Sequence, residues 1–363
     1  MLRLPAFDYI AAQSIEEAAA ILSGEGAGEG SAEAAAQGQP SPVRLVAGGT
    51  DLWPNMKRRH QSAKTVVSLM EIPGLSDIQA THPQGEIRIG ATALLSDVAN
   101  HPQIRTRYPA FAEAVDSISS PPLRNMGTIG GNLCLDTRCT YYNQTEDWRR
   151  SIDYCLKEKG KTCWVATSSP KCLAHTASDA APMLQALGAR VRLVSREGAG
   201  GGTTERTIPI GELYRNDGID YLTKRPDEIL TEILLPAEAD AAHCRSAFWK
   251  LRRRGSIDFA VLSAAVAVWV DAGGVVTKAS VVLGAVASCP SVAEEAGAAL
   301  VGKKLTEESV KEAAGLARRV ATPFDNTDFQ AQWRGAMVEV WVAGALRGCT
   351  AGDIGYGSDR VHG

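Results

Sequence analysis

Apolar and polar positions alternate in short runs over roughly the first 240 residues and in long ones thereafter. Ser14-Ile15-Glu16-Glu17 has the spacing of a capping box, in which Ser14 and Glu17 satisfy each other's free backbone donors, and it predicts an alanine-rich helix to Leu22. Residues 24–42 are Gly, Ala, Ser, Glu and Gln with almost nothing to bury, which predicts a disordered surface loop. Val43-Arg44-Leu45-Val46-Ala47 is a short β-prone run that ends in Gly48-Gly49-Thr50-Asp51-Leu52. Further strands are predicted over 65–69 and 87–90 and a helix over 96–101, with a second strand-and-helix unit over 180–236. Short strands alternating with helices predict an α/β or α+β first region.

Beyond residue 245 the pattern lengthens. Residues 259–270 and 275–286 are β-branched-rich runs joined by Asp271-Ala272-Gly273-Gly274, a hairpin signal. Ser291-Val292-Ala293-Glu294 is another capping-box spacing, Thr306 is placed to cap a helix over 307–320, and 328–346 carries a helical apolar period. The expected fold is therefore α+β, a two-part domain over 1–240 followed by a C-terminal domain of antiparallel sheet and helices over 245–350. No internal repeat is present.

Composition narrows the functional classes. A net charge of −3 gives no reason for nucleic-acid or membrane affinity. No apolar run reaches the roughly 20 residues of a membrane span, and the N-terminus has no secretory pattern, so a cytoplasmic location is expected. Eight cysteines in such a chain point to metal binding or redox work rather than disulfides, and five of them fall between Cys134 and Cys172. Cys244, Cys289 and Cys349 are scattered and read as small apolar residues. The six histidines form no i, i+4 pair, and no nucleophile–base arrangement is found, so no catalytic residue is expected. The chain reads as a carrier of cofactors.

Three patches carry the candidate chemistry. Gly48-Gly49-Thr50, flanked by Ala47, Asp51 and Leu52, can bring successive backbone N–H groups and a hydroxyl to one anion; a plain Gly-Gly turn is the simpler account. Arg124-Asn125-Met126-Gly127-Thr128-Ile129-Gly130-Gly131-Asn132 is a second such loop about 80 residues on, and together the two can clamp one diphosphate. Lys250 ends an apolar Phe-Trp step and can reach inward toward a flavin or phosphate, whereas Arg252 to Arg254 read as a solvated charge run. The third patch is C-x15-C-x7-C-x8-C, formed by Cys139, Cys155, Cys163 and Cys172. It contains no C-x-x-C pair, and its spacing alone leaves iron–sulfur, structural zinc and unliganded thiols all open. Tyr141, Tyr142, Trp148 and Trp164 can shield a cluster or simply form a small core. With seven Lys or Arg against four Asp or Glu over 138–172, this stretch offers a mildly basic face suited to an acidic electron carrier, or an ordinary solvated surface.

The two glycine segments, Ser178-Asp179-Ala180-Ala181-Pro182 and the stretch from Lys250 to Asp258-Phe259-Ala260 together resemble the FAD-binding subunit of the molybdenum hydroxylases, the xanthine and carbon monoxide dehydrogenase family, over nearly the whole chain. In most of that family the equivalents of Asn132 and Asp179 lie close together; here 46 residues separate them. An insertion at that place, with Cys-Leu-Asp-Thr-Arg-Cys and this spacing, resembles the beta (FAD) subunits of 4-hydroxybenzoyl-CoA reductases. The resemblance implies a 4Fe-4S cluster on Cys139, Cys155, Cys163 and Cys172, with Cys134 off the iron. It also implies FAD, its diphosphate and ribityl chain held by Ala47, Gly48, Gly49, Thr50, Asp51, Leu52, Thr128, Gly130, Gly131 and Asn132, with Asp179 and Lys250 near the flavin. The implied partners are a molybdopterin-containing large subunit and a 2Fe-2S small subunit in a dimer of heterotrimers, with ferredoxin as electron donor. The implied reaction, in aromatic degradation, is dehydroxylation of 4-hydroxybenzoyl-CoA to benzoyl-CoA, with electrons entering rather than leaving through this chain. Two other readings stand beside it: an FAD subunit for a xanthine or aromatic N-heterocycle dehydrogenase, and a non-enzymatic scaffold stapled by zinc.

Overall fold

Three sheets organise the chain, and the computed structural model describes residues 2–24, 43–80, 85–198, 201–237 and 243–350. The loop expected over 24–42 lies, apart from Gly24, outside the described residues. The first sheet is parallel, with β3 (Thr65–Ser68) between β1 (Asp8–Ala11) and β2 (Val43–Val46). Parallel neighbours need a crossover, and the helix Ile15–Leu22 lies between β1 and β2 in the chain, with Leu52–Lys57 between β2 and β3. Ser14 Oγ accepts from Glu17 N at 3.1 Å as the capping box requires, but Glu17 Oε2 accepts from Gln13 N at 2.7 Å instead of from Ser14. The return bond therefore closes one residue outside the predicted box.

The second sheet is antiparallel, in the order β4 (Ile78–Ala80), β5 (Ile87–Gly90), β8 (Ile229–Leu235), β6 (Arg190–Arg196), β7 (Thr203–Pro209). Between β5 and β6 run the short helices Leu95–Asn100, Pro102–Arg107, Pro109–Asp116 and Pro121–Arg124, then Ala180–Leu187. Pro102, Pro109 and Pro121 each stand at a helix start, where a missing N–H costs nothing and the fixed φ suits the first turn. The pattern predicts the first of these helices within one residue and places a helix in the unit from residue 180, but misses the three proline-started ones. Ile87, Ile89, Phe111, Met183, Leu184 and Ile233 fill one core between these helices and the sheet.

The third sheet runs β12 (Ser291–Val292), β11 (Val276–Gly284), β10 (Leu262–Val270), β9 (Cys244–Leu251), all antiparallel. Every residue of β10 is buried. Ala265, Ala267 and Trp269 belong to the core of the second sheet and its helices; Ala264, Val266 and Val268 belong to the core under Glu307–Val320 and Ala331–Gly348. Burial on both faces explains an unbroken apolar run where one wetted face would have produced alternation. At the predicted hairpin Asp271 Oδ1 accepts from Gly273 N at 2.8 Å and from Val275 N at 2.9 Å, and Gly274 takes φ +75°. Thr306 caps its helix in a mutual pair with Ser309. The capping box expected at Ser291 is overturned: Ser291 and Val292 pair with β11, and the helix starts at Glu294 behind Ala293 without a side-chain cap. Strand pairing claims Ser291 before it can serve as a cap. The α+β class with a C-terminal antiparallel sheet and helices is as the pattern predicts. Among the described residues no helix is long and apolar enough to cross a membrane.

Arg334, wholly buried on the last helix, ties this third unit together. Its guanidinium donates to Val261 O at 2.9 Å, Phe324 O at 2.8 Å and Ala285 O at 2.8 Å, and burial lowers its pKa to about 10. It also donates to Asn326 Oδ1 at 3.4 Å, while Asn326 Nδ2 donates to Leu173 O at 2.6 Å and Asn326 O accepts from Thr140 N at 2.8 Å. Arg334→Leu leaves three carbonyls without their donor, each worth about 1–3 kcal/mol. The expected loss is at least ~3 kcal/mol, read as a lower urea midpoint at unchanged slope; a loss under ~1 kcal/mol would show the guanidinium to be dispensable.

Candidate functional site

The two glycine segments meet backbone to backbone. A Cβ on Gly48 would fall 1.6 Å from Met126 O, so no side chain fits between them. Gly49 has φ +70°, and a Cβ there would sit 2.0 Å from Trp53 Nε1. Gly130 is pressed on Ala91, a Cβ being 2.7 Å from Ala91 O. Ala47 to Asp51 follow β2 as a turn, and Leu52 opens the helix Leu52–Lys57. The second segment is not a loop throughout: Ile129–Leu133 forms a helical turn capped by Thr128, whose hydroxyl accepts from Gly131 N at 3.2 Å. Asn132 Oδ1 accepts from Ser178 Oγ at 2.7 Å and from Ala180 N at 3.4 Å, which binds this turn to the start of Ala180–Leu187.

Asp179 and Lys250 form a buried pair, Nζ to Oδ2 2.6 Å, and Lys250 Nζ also donates to Ser117 O at 3.0 Å. Burial pushes the Asp179 carboxyl up and the Lys250 ammonium down, and the contact between them opposes both shifts. Lys250 thus reaches inward as expected, and the structure joins β9 to the other chain segments through it. Of the run expected to be solvated, Arg252 also donates to Ser117 O at 3.1 Å, so only Arg253 and Arg254, paired with Asp328 and Asp258, stay exposed.

Asp51 connects the first glycine segment to the cysteine stretch. Its Oδ1 lies 2.5 Å from Arg138 Nη2 and its Oδ2 accepts from Asn55 Nδ2 at 2.8 Å; burial raises its pKa while Arg138 opposes the rise. The Arg138 guanidinium lies 4.0 Å from the Phe259 ring centre. Arg138 and His175 exchange both backbone hydrogen bonds, at 2.9 and 2.8 Å, closing the stem of an insertion that runs from Cys139 to Ala174.

Within it Cys139, Cys155, Cys163 and Cys172 are buried, free of disulfides, and line one space with Tyr141, Tyr142, Leu156, Lys157, Trp164 and Val165. The free space left between them is small, about 10 Å³. Burial drives Cys139 up to about 12 and Cys172 up to about 11, and Cys155 upward, so with nothing bound these are neutral thiols. Backbone N–H groups of Tyr141 and Tyr142 face Cys139, those of Lys157 and Glu158 face Cys155, and Ala174 N lies 3.5 Å from Cys172 Sγ. Among the described residues no three His, Cys, Asp or Glu converge tightly enough to hold a single metal ion. Cys134 stands apart, packed on the core of the second sheet. Trp148 lies outside the cavity and meets Tyr141, ring centres 6.4 Å apart.

Several residues that build this site carry no signal in the sequence. Lys157 Nζ donates to Asp136 Oδ1 at 2.6 Å, Thr137 O at 3.1 Å and Gly218 O at 2.7 Å. Arg149 is buried between Glu146, Glu158 and Arg58 O, and Tyr142, which the sequence did single out, donates from Oη to His60 O at 3.0 Å. A larger cavity of about 530 Å³, lined by Leu187, Arg190, Leu234, Trp269 and Lys278 among others, shares no residue with these sites.

Two family descriptions match the chain: FAD binding domain in molybdopterin dehydrogenase over residues 5–238, and CO dehydrogenase flavoprotein C-terminal domain over 246–348. The chain is 28% identical to the nicotinate dehydrogenase FAD-subunit of Eubacterium barkeri over 84% of its length and 83% of that protein. It is 31% identical to the aldehyde oxidoreductase FAD-binding subunit PaoB of Escherichia coli (strain K12), over 74% and 83%. The solved carbon monoxide dehydrogenase from Hydrogenophaga pseudoflava superposes with a TM-score of 0.72 at 27% identity, covering 96% of this chain and 98% of that one.

Two outcomes follow from the geometry. Gly48→Ala should force the glycine segments apart, lowering the melting temperature by several degrees; an unchanged melting curve would contradict the contact. His175, buried, is lowered from 6.5 to about 4. Below pH 6.5 the unfolded chain therefore takes up a proton that the folded chain refuses, so stability falls as pH drops from 6.5 toward 4. The slope contributed is at most about 1.4 kcal/mol per pH unit, and His175→Gln should flatten that part of the stability–pH curve.

Proposed function

The chain belongs to the FAD-binding subunits of the molybdenum hydroxylase family, and within that family we propose that it is the FAD and 4Fe-4S electron-transfer subunit of a 4-hydroxybenzoyl-CoA reductase. The observation that carries the narrower reading is the set of four buried, unpaired thiols around one cavity, on an insertion between Asn132 and Asp179. The family resemblance of the insertion is what favours a cluster over one ion. Zinc draws four thiolates to about 2.3 Å, whereas a cubane places its own iron and sulfide atoms between them, and four thiols lining one space supply the donor set that either needs. The N–H groups facing three of the sulfurs would stabilise thiolate once iron displaces the protons.

For FAD, the close approach of Gly48 to Met126 and the positive φ of Gly49 support a diphosphate-binding turn after β2, whereas the N–H groups of Gly130 and Gly131 are taken by Ala91 O and Thr128 Oγ1. We assign contact with FAD to Ala47, Gly48, Gly49, Thr50, Asp51, Leu52, Thr128, Gly130, Gly131 and Asn132 within a domain over 1–240. The Asp179–Lys250 pair would border the flavin where the C-terminal domain over 245–350 closes on it. With both groups bound, the chain would relay single electrons from a low-potential donor such as ferredoxin toward 2Fe-2S and molybdopterin centres in partner subunits, which perform the dehydroxylation. A cytoplasmic dimer of heterotrimers is the assembly this implies. The names of the relatives favour a second reading, an FAD subunit of a dehydrogenase for an N-heterocycle, an aldehyde or carbon monoxide with electrons flowing outward. That reading leaves the thiol cavity without a role.

Anaerobic purification followed by metal and flavin analysis separates these. About four irons and one FAD per chain are expected, and Cys155→Ser should lose the iron while retaining the flavin. Zinc in place of iron, or iron content and spectrum surviving in the variant, would sink the ligand assignment.

A further inference from the structure

Four thiolates brought into a cavity of low polarity need positive charge beside them, because like charges there are poorly screened. Among the described residues lining the cavity, Lys157 alone carries a formal charge. Its side chain is 5% exposed and its ammonium is held by Asp136 Oδ1, Thr137 O and Oγ1, and Gly218 O. These acceptors come from the insertion's stem and from the loop behind Cys172, whose carbonyl accepts from Gly218 N at 2.9 Å. The ammonium also stands 4.9 Å from the ring centre of Tyr142 and 5.5 Å from that of Tyr221. It cannot swing to solvent without leaving all of them. Glu158, an acid whose charge opposes thiolate at Cys155, is matched separately by Arg149 at 3.0 Å. Lys157 is the first charged group to favour thiolate at Cys172.

Resting on the cluster reading above, we propose that Lys157 is a positioning residue that fixes one positive charge against the four-thiolate site, with Asp136 setting how much of that charge the site feels. A charge so placed favours the more negative, reduced state of whatever redox group the thiols hold, and its carboxylate partner opposes that. A peg serving only to hold the stem would influence folding and iron retention, with no ordered effect on potential.

The test is anaerobic potentiometric titration of the purified complex with dithionite, following the cluster by EPR and the flavin by absorbance. Lys157→Met should disfavour cluster reduction at least tenfold, a downward shift of 59 mV or more for a one-electron couple. Asp136→Asn should move it upward, and Lys157→Arg should leave it near the wild-type value. The flavin couple should move less than the cluster in each case. Cluster potentials unmoved, moved in the same direction by both neutralising variants, or shifted equally with the flavin would overturn the inference while leaving the cluster reading intact. If Lys157→Met does not retain iron, Asp136→Asn decides alone, and absence of an upward shift overturns the inference. Wild-type protein without iron overturns the cluster reading, and the inference falls with it.

Discussion

The Arg138 guanidinium lies 2.5 Å from Asp51 and over the ring of Phe259, while its backbone pairs with His175 to close the stem of the cysteine insertion. One residue therefore touches the first glycine segment, the root of the thiol cavity and the C-terminal part of the chain. Charge-assisted contacts of this kind are strong when partly shielded from water, and the Arg138 side chain is 17% exposed. Moving Asp51 moves the residue next to Cys139. The first glycine segment and a thiol cavity built from distant stretches of sequence are thereby held in a fixed relation.

The same logic repeats on the other side of the stem. Asn326, steadied by Arg334, holds Thr140 and Leu173, so the insertion is anchored through the first backbone groups after its stem closes. Lys157 anchors it to Gly218 from within, and Thr137, just before the stem, reaches the same carbonyl. Such anchoring suits a site whose purpose is to hold groups at constant spacing, since an insertion of this size has little hydrophobic core of its own. Its interior is thiols, Tyr142 and Ala174, with Tyr141 and Val165 packed around them. Burial holds Cys139, Cys155 and Cys172 as neutral thiols, and backbone N–H groups face all three.

β10 links packing to this arrangement. Buried on both faces, it serves as a wall shared by two cores, and through β9 it sets Lys250 against Asp179 and Ser117. The two parts of the chain are thus joined by apolar area and by an ion pair that burial makes costly to break. A hinge at this seam would have to separate both.

Local patterns were legible wherever neighbours in sequence decide conformation. The helix after Ser14, the strands at 43–46, 65–68 and 87–90, the hairpin at Asp271 and the cap at Thr306 all follow from periodicity, turn residues and side-chain hydrogen bonds within four positions. The glycine segments and the four cysteines stood out as residue types, although a plain turn and unliganded thiols remained open accounts of them. Tertiary structure alone decided the rest. Ser291 became a strand instead of a cap because β11 was there to pair with it. Arg138, Lys157 and Arg334 are ordinary basic residues in the sequence, and their partners lie from about 10 to about 90 positions away. Only folding brings those acceptors together, and a buried charge is tolerated only where such acceptors converge.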